Sequence, residues 1–212
     1  TNTALLERRN RLFGKGSSLF YEQPIQLVRG EGVFVYDESG RRYVDLFNNV
    51  PCVGHCHPHF VKTVSSQLKT LNVHSRYLHQ SILDYADRLI STHHDSIESV
   101  IFSCTGTEAN EIALQMARLA TGGRGIICTD ATYHGNSAEV SKLTGAKSNQ
   151  GDVRSIRFPE TYRTDTEDPL NHHLRELQLV IESFREDGTP FAGMLVCPIL
   201  ANEGLPNIPK GY

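Results

Sequence analysis

Apolar residues recur every three or four positions in several stretches of this chain, which is the spacing of an amphipathic helix. After Pro58, for example, Phe60, Val64 and Leu68 fall on one side of such a helix. The same spacing predicts helices over residues 60–71, 82–90, 107–120 and 174–185, and short helices are expected at residues 3–13 and 137–143.

Short apolar runs alternate with the helices from residue 99 onward, and such runs are typical of buried strands. They predict strands at residues 100–102, 126–128, 153–158 and 194–197. This order predicts an α/β fold with a mostly parallel sheet flanked by helices on both faces. Ligands of such sheets bind at the carboxyl ends of the strands.

The first part of the chain has a different pattern. Two strand-like runs, residues 32–37 and 41–47, surround Glu38-Ser39-Gly40 and predict a β-hairpin in which Gly40 has a positive φ angle. Residues 1–30 lack a clean period and are expected to form an N-terminal arm. We therefore expect residues 1–58 to be an arm and hairpin segment, part of a small domain, and residues 59–212 to be the first part of a large α/β domain.

Composition indicates a globular chain with a core of its own. Of the 212 residues, 39% are hydrophobic, and the formal net charge of -3 includes no long run of either sign. The charge pattern does not suggest a nucleic-acid surface or a polybasic membrane patch. No apolar run approaches the roughly eighteen residues of a membrane-spanning helix, and we expect a cytoplasmic protein.

The five cysteines are odd in number and scattered along the chain. Cys104, Cys128 and Cys197 lie in or beside apolar runs, so they are expected to be reduced and mostly buried. A nucleophilic role for Cys104 is an alternative, but a thiol at a strand end is more typical of a core.

The stretch from Ser103 to Glu111 joins an apolar run to an amphipathic helix through one glycine, Gly106. Such a turn directs backbone N–H groups and the hydroxyls of Thr105 and Thr107 toward one point at a helix N-terminus, which suits a phosphate. Thr105 and Glu108 also have the spacing of a capping box, which predicts a capped helix without a ligand. The local sequence leaves both interpretations open.

A second candidate stretch, Thr132 to Gly135, follows the next predicted strand. Tyr133 could stack on a flat heterocycle bound near the phosphate, with His134 beside it. The alternative is an ordinary surface turn with one packed tyrosine.

Other sites are disfavoured by the order of residues along the chain. Gly122-Gly123-Arg124-Gly125 precedes a strand, whereas a dinucleotide fingerprint follows one, and neither a P-loop nor a G-x-S-x-G sequence is present. A dense group of cysteines and histidines suggests zinc, but no second ligand pair follows at a suitable spacing. The group consists of Cys52, His55, Cys56, His57 and His59. The paired histidines at 93–94 and 172–173 are expected on the solvated surface.

Several motifs occur in an order that resembles the class III aminotransferases, which are fold-type-I pyridoxal-phosphate enzymes. The resemblance extends from about residue 28 to residue 212. The motifs are Asp37-x-x-Gly40-x-x-Tyr43-x-Asp45, Gly54-His55-Cys56-His57-Pro58, residues 105–111, Tyr133-His134-Gly135 and Pro209-Lys210-Gly211-Tyr212. Residues 48–58 and 75–79 look most like the branch that contains phospho-lyases for phosphorylated amines, and that branch also holds bacterial transaminases.

The resemblance implies roles for individual residues. It implies that Gly106 and Thr107 bind the phosphate of pyridoxal phosphate, with Thr105 beside them. It further implies that Tyr133 stacks on the pyridine ring and that His134 and Gly135 line the same pocket. Asn49 and Tyr77 are expected on the substrate side. The family's active sites are built across a two-fold axis, so a homodimer is implied.

Two departures from the family pattern affect these expectations. Where the family has Glu-Pro-Val-Gln, this chain has Cys197-Pro198-Ile199-Leu200, so a carboxylate and an amide are replaced by apolar groups. No lysine of the chain stands in the motif of the family's Schiff-base lysine, and the resemblance implies that the chain stops before the strand carrying the family's Asp-Glu motif, whose Asp holds the pyridinium nitrogen. We expect this to be the N-terminal half of an enzyme, inactive by itself.

Three functions follow as hypotheses from this resemblance. The first is an aminotransferase that moves an amino group between an amine or amino acid and a keto acid or aldehyde. The second is a phospho-lyase that acts on a phosphorylated amine such as phosphoethanolamine. The third is an inactive short form, or a partner of a longer relative, that lacks the Schiff-base lysine.

Overall fold

The computed structural model describes residues 2–14, 16, 19, 21–48, 50–145 and 151–212. The chain forms two compact units, residues 1–83 and 84–212. The sequence-based division after residue 58 falls inside the first unit and stays a prediction about the domains of the intact protein. Among the described residues, none of the helices is both long and apolar enough to cross a bilayer.

The first unit contains helices and a small antiparallel sheet. Its elements are α1 (Asn2–Phe13), β1 (Leu27–Glu31), β2 (Phe34–Asp37), β3 (Arg42–Val44) and α2 (Pro58–Thr70). The predicted hairpin is β2 and β3, which pair antiparallel, and Gly40 in its turn has a φ angle of 86°. The turn is held by the Asp37 carboxylate, which accepts hydrogen bonds from the backbone of Ser39 and from the Tyr43 hydroxyl. The sequence did not predict β1, because Arg29, Gly30 and Glu31 interrupt its apolar pattern.

The second unit begins within α3 and contains the predicted alternation of helices and strands. Its elements are α3 (Gln80–Ile90), α4 (Gly106–Thr121), β4 (Gly125–Thr129), a 3₁₀ turn (Val140–Leu143), β5 (Val153–Ile156), α5 (Pro169–Glu186) and β6 (Phe191–Leu195). The three strands are parallel in the order β5-β4-β6. The predicted parallel α/β arrangement is therefore confirmed in this unit.

The core of the second unit lies on both faces of β4, all of whose residues are buried. Alternate side chains of a strand point to opposite faces. Ile126 and Cys128 pack on one face with Leu114 of α4. Ile127 packs on the other face with Phe184 of α5. The two helices thus cover opposite sides of the sheet, and α4 has its N-terminus available for a ligand.

One predicted strand is wrong. Residues 100–102 have no strand structure, and Ile101 and Phe102 are 59% and 47% exposed. A strand requires a hydrogen-bonded neighbour, and no strand in the described part of the chain lies beside these residues. The Phe102 ring stacks instead on Tyr85, with the ring centroids 5.3 Å apart.

Several other predicted elements differ in extent, and two of them differ for a clear reason. The predicted helix over residues 137–143 is only the 3₁₀ turn, because its apolar spacing reflects the burial of Val140 and Leu143 in the core beside β4. The last strand ends at Leu195, two residues earlier than predicted, ahead of Pro198, which has no N–H to donate to a sheet.

The prediction that residues 172–173 lie on the surface is wrong for one of the two histidines. His173 is 1% exposed, and its Nε2 lies 3.1 Å from both the backbone N and the backbone O of Glu160. His173 lies on the inner face of α5. The apolar spacing that predicted this helix begins only at Leu174, so it did not include His173.

Candidate functional site

The N-terminus of α4 is capped as the sequence predicts. The Thr105 hydroxyl accepts a hydrogen bond from the backbone N–H of Glu108 at 3.1 Å. The Glu108 carboxylate turns back and accepts a hydrogen bond from the backbone N–H of Cys104 at 2.7 Å. This cap differs slightly from a capping box, because Glu108 reaches the residue before the N-cap.

The cap leaves two donors of the first turn free. The first N–H groups of an α-helix have no acceptor within the helix. Within the described part of the chain, the N–H groups of Gly106 and Thr107 and the Thr107 hydroxyl have no hydrogen-bond partner. Open space surrounds Gly106, since a Cβ built there meets no atom within 4 Å. The capped helix and the anion site are therefore compatible in one structure.

The loop after β4 packs directly on this helix end. A Cβ placed on Gly135, whose φ angle is 138°, would lie 2.4 Å from Oγ1 of Thr107. Only glycine fits such an approach without moving the backbone. The structure thus brings Thr107 and Gly135, two of the predicted cofactor residues, into contact.

His134 belongs to the same loop, and its side chain is buried. Its carbonyl oxygen accepts a hydrogen bond from Nδ2 of Asn110 at 2.8 Å, and its ring Nε2 lies 3.2 Å from the Thr132 hydroxyl. Burial lowers the pKa of His134, and the carboxylate of Glu203 opposes this shift. The buried imidazole in this position supports the loop from within.

Tyr133 differs from its neighbour because the residue is 52% exposed. Its hydroxyl accepts a hydrogen bond from Nδ2 of Asn136 at 3.0 Å. The exposed ring and the free N–H groups of α4 belong to two segments joined by the contact between Gly135 and Thr107. The arrangement offers an anion site and an aromatic residue on two segments that pack against each other.

Three residues of this region were not singled out from the sequence. Asn110 and Glu111 of α4 both bind the loop, since Glu111 accepts a hydrogen bond from the Ser137 hydroxyl. Glu203 accepts a hydrogen bond from the Thr129 hydroxyl at 3.0 Å, at the carboxyl end of β4. Residues 110 and 111 are part of the motif at residues 105–111, but the motif does not show their partners, which lie more than twenty residues away along the chain.

Glu203 also changes how the departure at residues 197–200 is interpreted. Leu200 is buried there, but the chain turns back after it and returns a carboxylate to the end of β4. Its second oxygen, Oε2, is buried and has no hydrogen-bond partner among the described residues. The region therefore contains a carboxylate, although not at the motif position.

The two predicted substrate residues belong to the first unit. Asn49 lies outside the described residues, so its role stays a prediction. Tyr77 is described and has an exposed side chain. Its predicted role likewise stays a prediction.

Within the group of cysteines and histidines around residue 55, His55 is held by hydrogen bonds of its own. His55 pairs through its backbone with Gly32, and its Nε2 lies 2.7 Å from the carboxylate of Asp45. Hydrogen bonds from the Asn48 backbone and from His55 lower the pKa of Asp45. His55 also packs so closely on Gly30 that a Cβ there would lie 2.7 Å from it. In the described ranges, no three cysteine, histidine or acidic side chains form a cluster that could hold a metal ion.

The cysteines are all free thiols, but they are not mostly buried as expected. Cys128 is buried in the core, and desolvation raises its pKa to about 12. Cys104 is exposed, since it lies in the turn before α4 and residues 100–102 do not join the sheet. Cys197 is partly buried, and Cys52 and Cys56 are exposed.

Comparison with known proteins gives consistent matches. The class-III aminotransferase family matches residues 19–212. Alanine–glyoxylate aminotransferase 2 homolog 2, mitochondrial, of Arabidopsis thaliana is 34% identical over 98% of this chain and 45% of its own length. A phospholyase from Arthrobacter, solved in complex with phosphoethanolamine, is 36% identical with a TM-score of 0.90, over 98% of this chain and 51% of its own.

A more distant solved structure has the same fold. Taurine:2-oxoglutarate aminotransferase from Bifidobacterium kashiwanohense, in complex with pyridoxal phosphate and glutamate, is 20% identical with a TM-score of 0.80. It covers 100% of this chain and 51% of its own. The chain thus spans about half the length of the relatives it matches.

Proposed function

Because the chain belongs to the class III aminotransferase family, we propose that the intact protein is a pyridoxal-phosphate-dependent aminotransferase. It moves an amino group between an amine or amino acid and a keto acid or aldehyde. The observation that carries this proposal is the anion site at the N-terminus of α4, beside the exposed ring of Tyr133.

The residues present fit the phosphate of the cofactor. The N–H groups of Gly106 and Thr107 and the Thr107 hydroxyl are three donors without acceptors in the described part of the chain. The positive end of the helix dipole favours a dianion at the same point. The Glu108 carboxylate, which would repel a phosphate, is held by the Cys104 N–H. In this proposal Gly106 and Thr107 hold the phosphate, with Thr105 capping the helix beside them.

The ring of the cofactor is assigned to Tyr133, whose exposed face is fixed by Asn136 and by the packing of Gly135. His134 and Gly135 complete this wall, His134 from behind. When bound, pyridoxal phosphate supplies an electron sink for bonds at the carbon that carries the substrate's amino group. The residues of this chain bind and orient the group.

We also propose that the lysine that holds the cofactor covalently, and the acid that partners its ring nitrogen, come from outside these 212 residues. The Lys142 ammonium supports this, because it already pairs with the Glu139 carboxylate. The sequence supports it as well, because none of the chain's six lysines stands in a motif like that of the family's Schiff-base lysine: Lys15, Lys62, Lys69, Lys142, Lys147 and Lys210.

A homodimer is proposed for the intact protein. Support comes from α2, where Phe60, Val64 and Leu68 form an exposed apolar stripe. Contiguous exposed apolar surface of this kind is typical of interfaces. Sedimentation of the intact protein tests the proposal: a monomer with full activity would contradict it.

A cytoplasmic location is also proposed, because the cysteines are odd in number and spread along the chain.

The activity is tested with the intact protein, pyridoxal phosphate, a panel of isotopically labelled amines and pyruvate. The proposal predicts labelled alanine, formed in equal amount with the carbonyl product of the donor. The proposal would be contradicted if none of the donors gave a labelled amino acid, either with pyruvate or with other keto acids in its place.

A second function on the same cofactor is favoured by one observation, the 36% identity and TM-score of 0.90 with the Arthrobacter phospholyase. A phospho-lyase releases phosphate from a phosphorylated amine such as phosphoethanolamine without transferring nitrogen. The two functions are separated by supplying phosphoethanolamine and pyruvate together. Phosphate release without alanine would establish the lyase and exclude the aminotransferase for this substrate.

A further inference from the structure

One face of α4 carries the whole loop that follows β4. Thr107, Asn110 and Glu111 are spaced as i, i+3 and i+4, and residues with this spacing share a helix face. Thr107 contacts Gly135, Asn110 donates to the carbonyl oxygen of His134, and Glu111 accepts from Ser137. The loop is therefore docked along about one turn of the helix.

Asn110 provides a contact of a distinct kind among these three. The Asn110 side chain binds the backbone of the loop, since its Nδ2 lies 2.8 Å from the carbonyl oxygen of His134. Asn110 is partly buried. A hydrogen bond to the backbone fixes the position of the peptide itself, whereas Ser137 is held through its side chain. The carbonyl oxygen of His134 belongs to the peptide that joins His134 to Gly135, so Asn110 holds the loop one residue after Tyr133 and thereby constrains the position of the Tyr133 ring.

The two halves of the proposed cofactor site lie on different segments. The phosphate donors belong to α4, and the aromatic ring belongs to the loop. A rigid ligand that spans both requires a fixed separation between them, because misplacement of either half weakens binding of the whole. The contacts between α4 and the loop determine that separation.

We propose that Asn110 is a positioning residue that fixes the ring of Tyr133 relative to the phosphate site of α4. This inference rests on the proposed pyridoxal-phosphate site and adds a residue whose role the family resemblance did not assign. Asn110 does not touch the cofactor in this account. Its loss leaves the phosphate donors in place and displaces the ring surface.

The test uses the intact protein and the Asn110→Ala variant. Two quantities are measured: the affinity for inorganic phosphate, and the affinity and visible circular dichroism of bound pyridoxal phosphate. Loss of one hydrogen bond predicts about two- to tenfold weaker cofactor binding and an altered dichroic band, with phosphate affinity unchanged. Asn110→Gln, which keeps an amide donor, is expected to restore part of the band. Gln115→Ala, at an exposed position of the same helix, is the matched control.

The outcomes separate this inference from the proposed function. If the unaltered protein fails to bind pyridoxal phosphate, the proposed function is wrong. If it binds but Asn110→Ala matches Gln115→Ala in affinity and dichroism, the positioning role is wrong. An equal loss of phosphate and cofactor affinity would also overturn it, since that indicates general damage to the helix. Should the alanine variant not fold, Asn110→Leu preserves the volume, lacks the donor and is judged by the same criteria.

Discussion

Gly135 and Thr107 are packed so closely that no side chain larger than hydrogen fits at residue 135. A Cβ there would lie 2.4 Å from Oγ1 and 2.9 Å from Cβ of Thr107. The contact joins the loop after β4 to the first turn of α4. It therefore determines the shape of the proposed cofactor site.

We predict that Gly135→Ala destabilises the protein by about 2 to 4 kcal/mol, because overpacking adds to the strain of a positive φ angle. It should also weaken binding of pyridoxal phosphate. The free energy of unfolding in urea and the cofactor affinity are the measurements. Gly188→Ala is the matched control, since Gly188 has a φ angle of 70° and open space around it. Equal destabilisation by both variants would show that the contact with Thr107 is unimportant.

Thr107→Ala is predicted to weaken cofactor binding by about 1.5 to 3 kcal/mol, the value of one hydrogen bond to a charged group. The hydroxyl has no other partner in the described part of the chain, so the loss should appear in binding and little in stability. Thr107→Ser should retain most of the affinity. Thr121→Ala removes a hydroxyl at the opposite end of α4 and serves as the control. Unchanged affinity in Thr107→Ala would exclude this phosphate site.

Arg154 on β5 is predicted to be a principal link between the sheet and the end of α5. Its buried guanidinium donates to the Ser183 hydroxyl and the Asp187 carboxylate and lies 3.9 Å from the centre of the Phe184 ring. Arg154→Ala removes these contacts and leaves a cavity, so it should lower the melting temperature more than Arg185→Ala, which truncates an exposed arginine on α5. Equal melting temperatures for the two variants would contradict this role.

Asp37 should make the hairpin of the first unit sensitive to acid. Hydrogen bonds from the Ser39 hydroxyl, then from Tyr43, lower its pKa to about 2. A lowered carboxylate pKa stabilises the folded state above the ordinary value of 3.8, and that contribution is lost as the pH falls toward 2. Asp37→Asn should remove this part of the pH dependence. The measurement is the free energy of unfolding as a function of pH for Asp37→Asn and for the unaltered protein. Glu38→Gln, in the same turn, is the control.

The sequence was sufficient for the elements whose signals are local. The cap formed by Thr105 and Glu108 and the positive φ angle of Gly40 follow from nearby residues, and both are confirmed. The parallel pairing of the strands follows from their alternation with helices along the chain and is also confirmed. The family resemblance is confirmed by the match over residues 19–212, and the fold by solved structures with TM-scores of 0.80 and 0.90.

The sequence was insufficient where a contact joins distant residues. The Asn110–His134 and Thr129–Glu203 hydrogen bonds span 24 and 74 positions, and neither leaves a periodic signal. The strand expected at residues 100–102 has a suitable composition but no neighbouring strand in the described part of the chain. The burial of His173 depends likewise on a distant partner, Glu160.

The most direct measurement is a crystal structure of the intact protein with pyridoxal phosphate bound. We predict phosphate oxygens within hydrogen-bonding distance of the N–H groups of Gly106 and Thr107 and of the Thr107 hydroxyl. We also predict the pyridine ring stacked on Tyr133. A cofactor phosphate bound away from the N-terminus of α4, or a ring that does not contact Tyr133, would contradict this prediction.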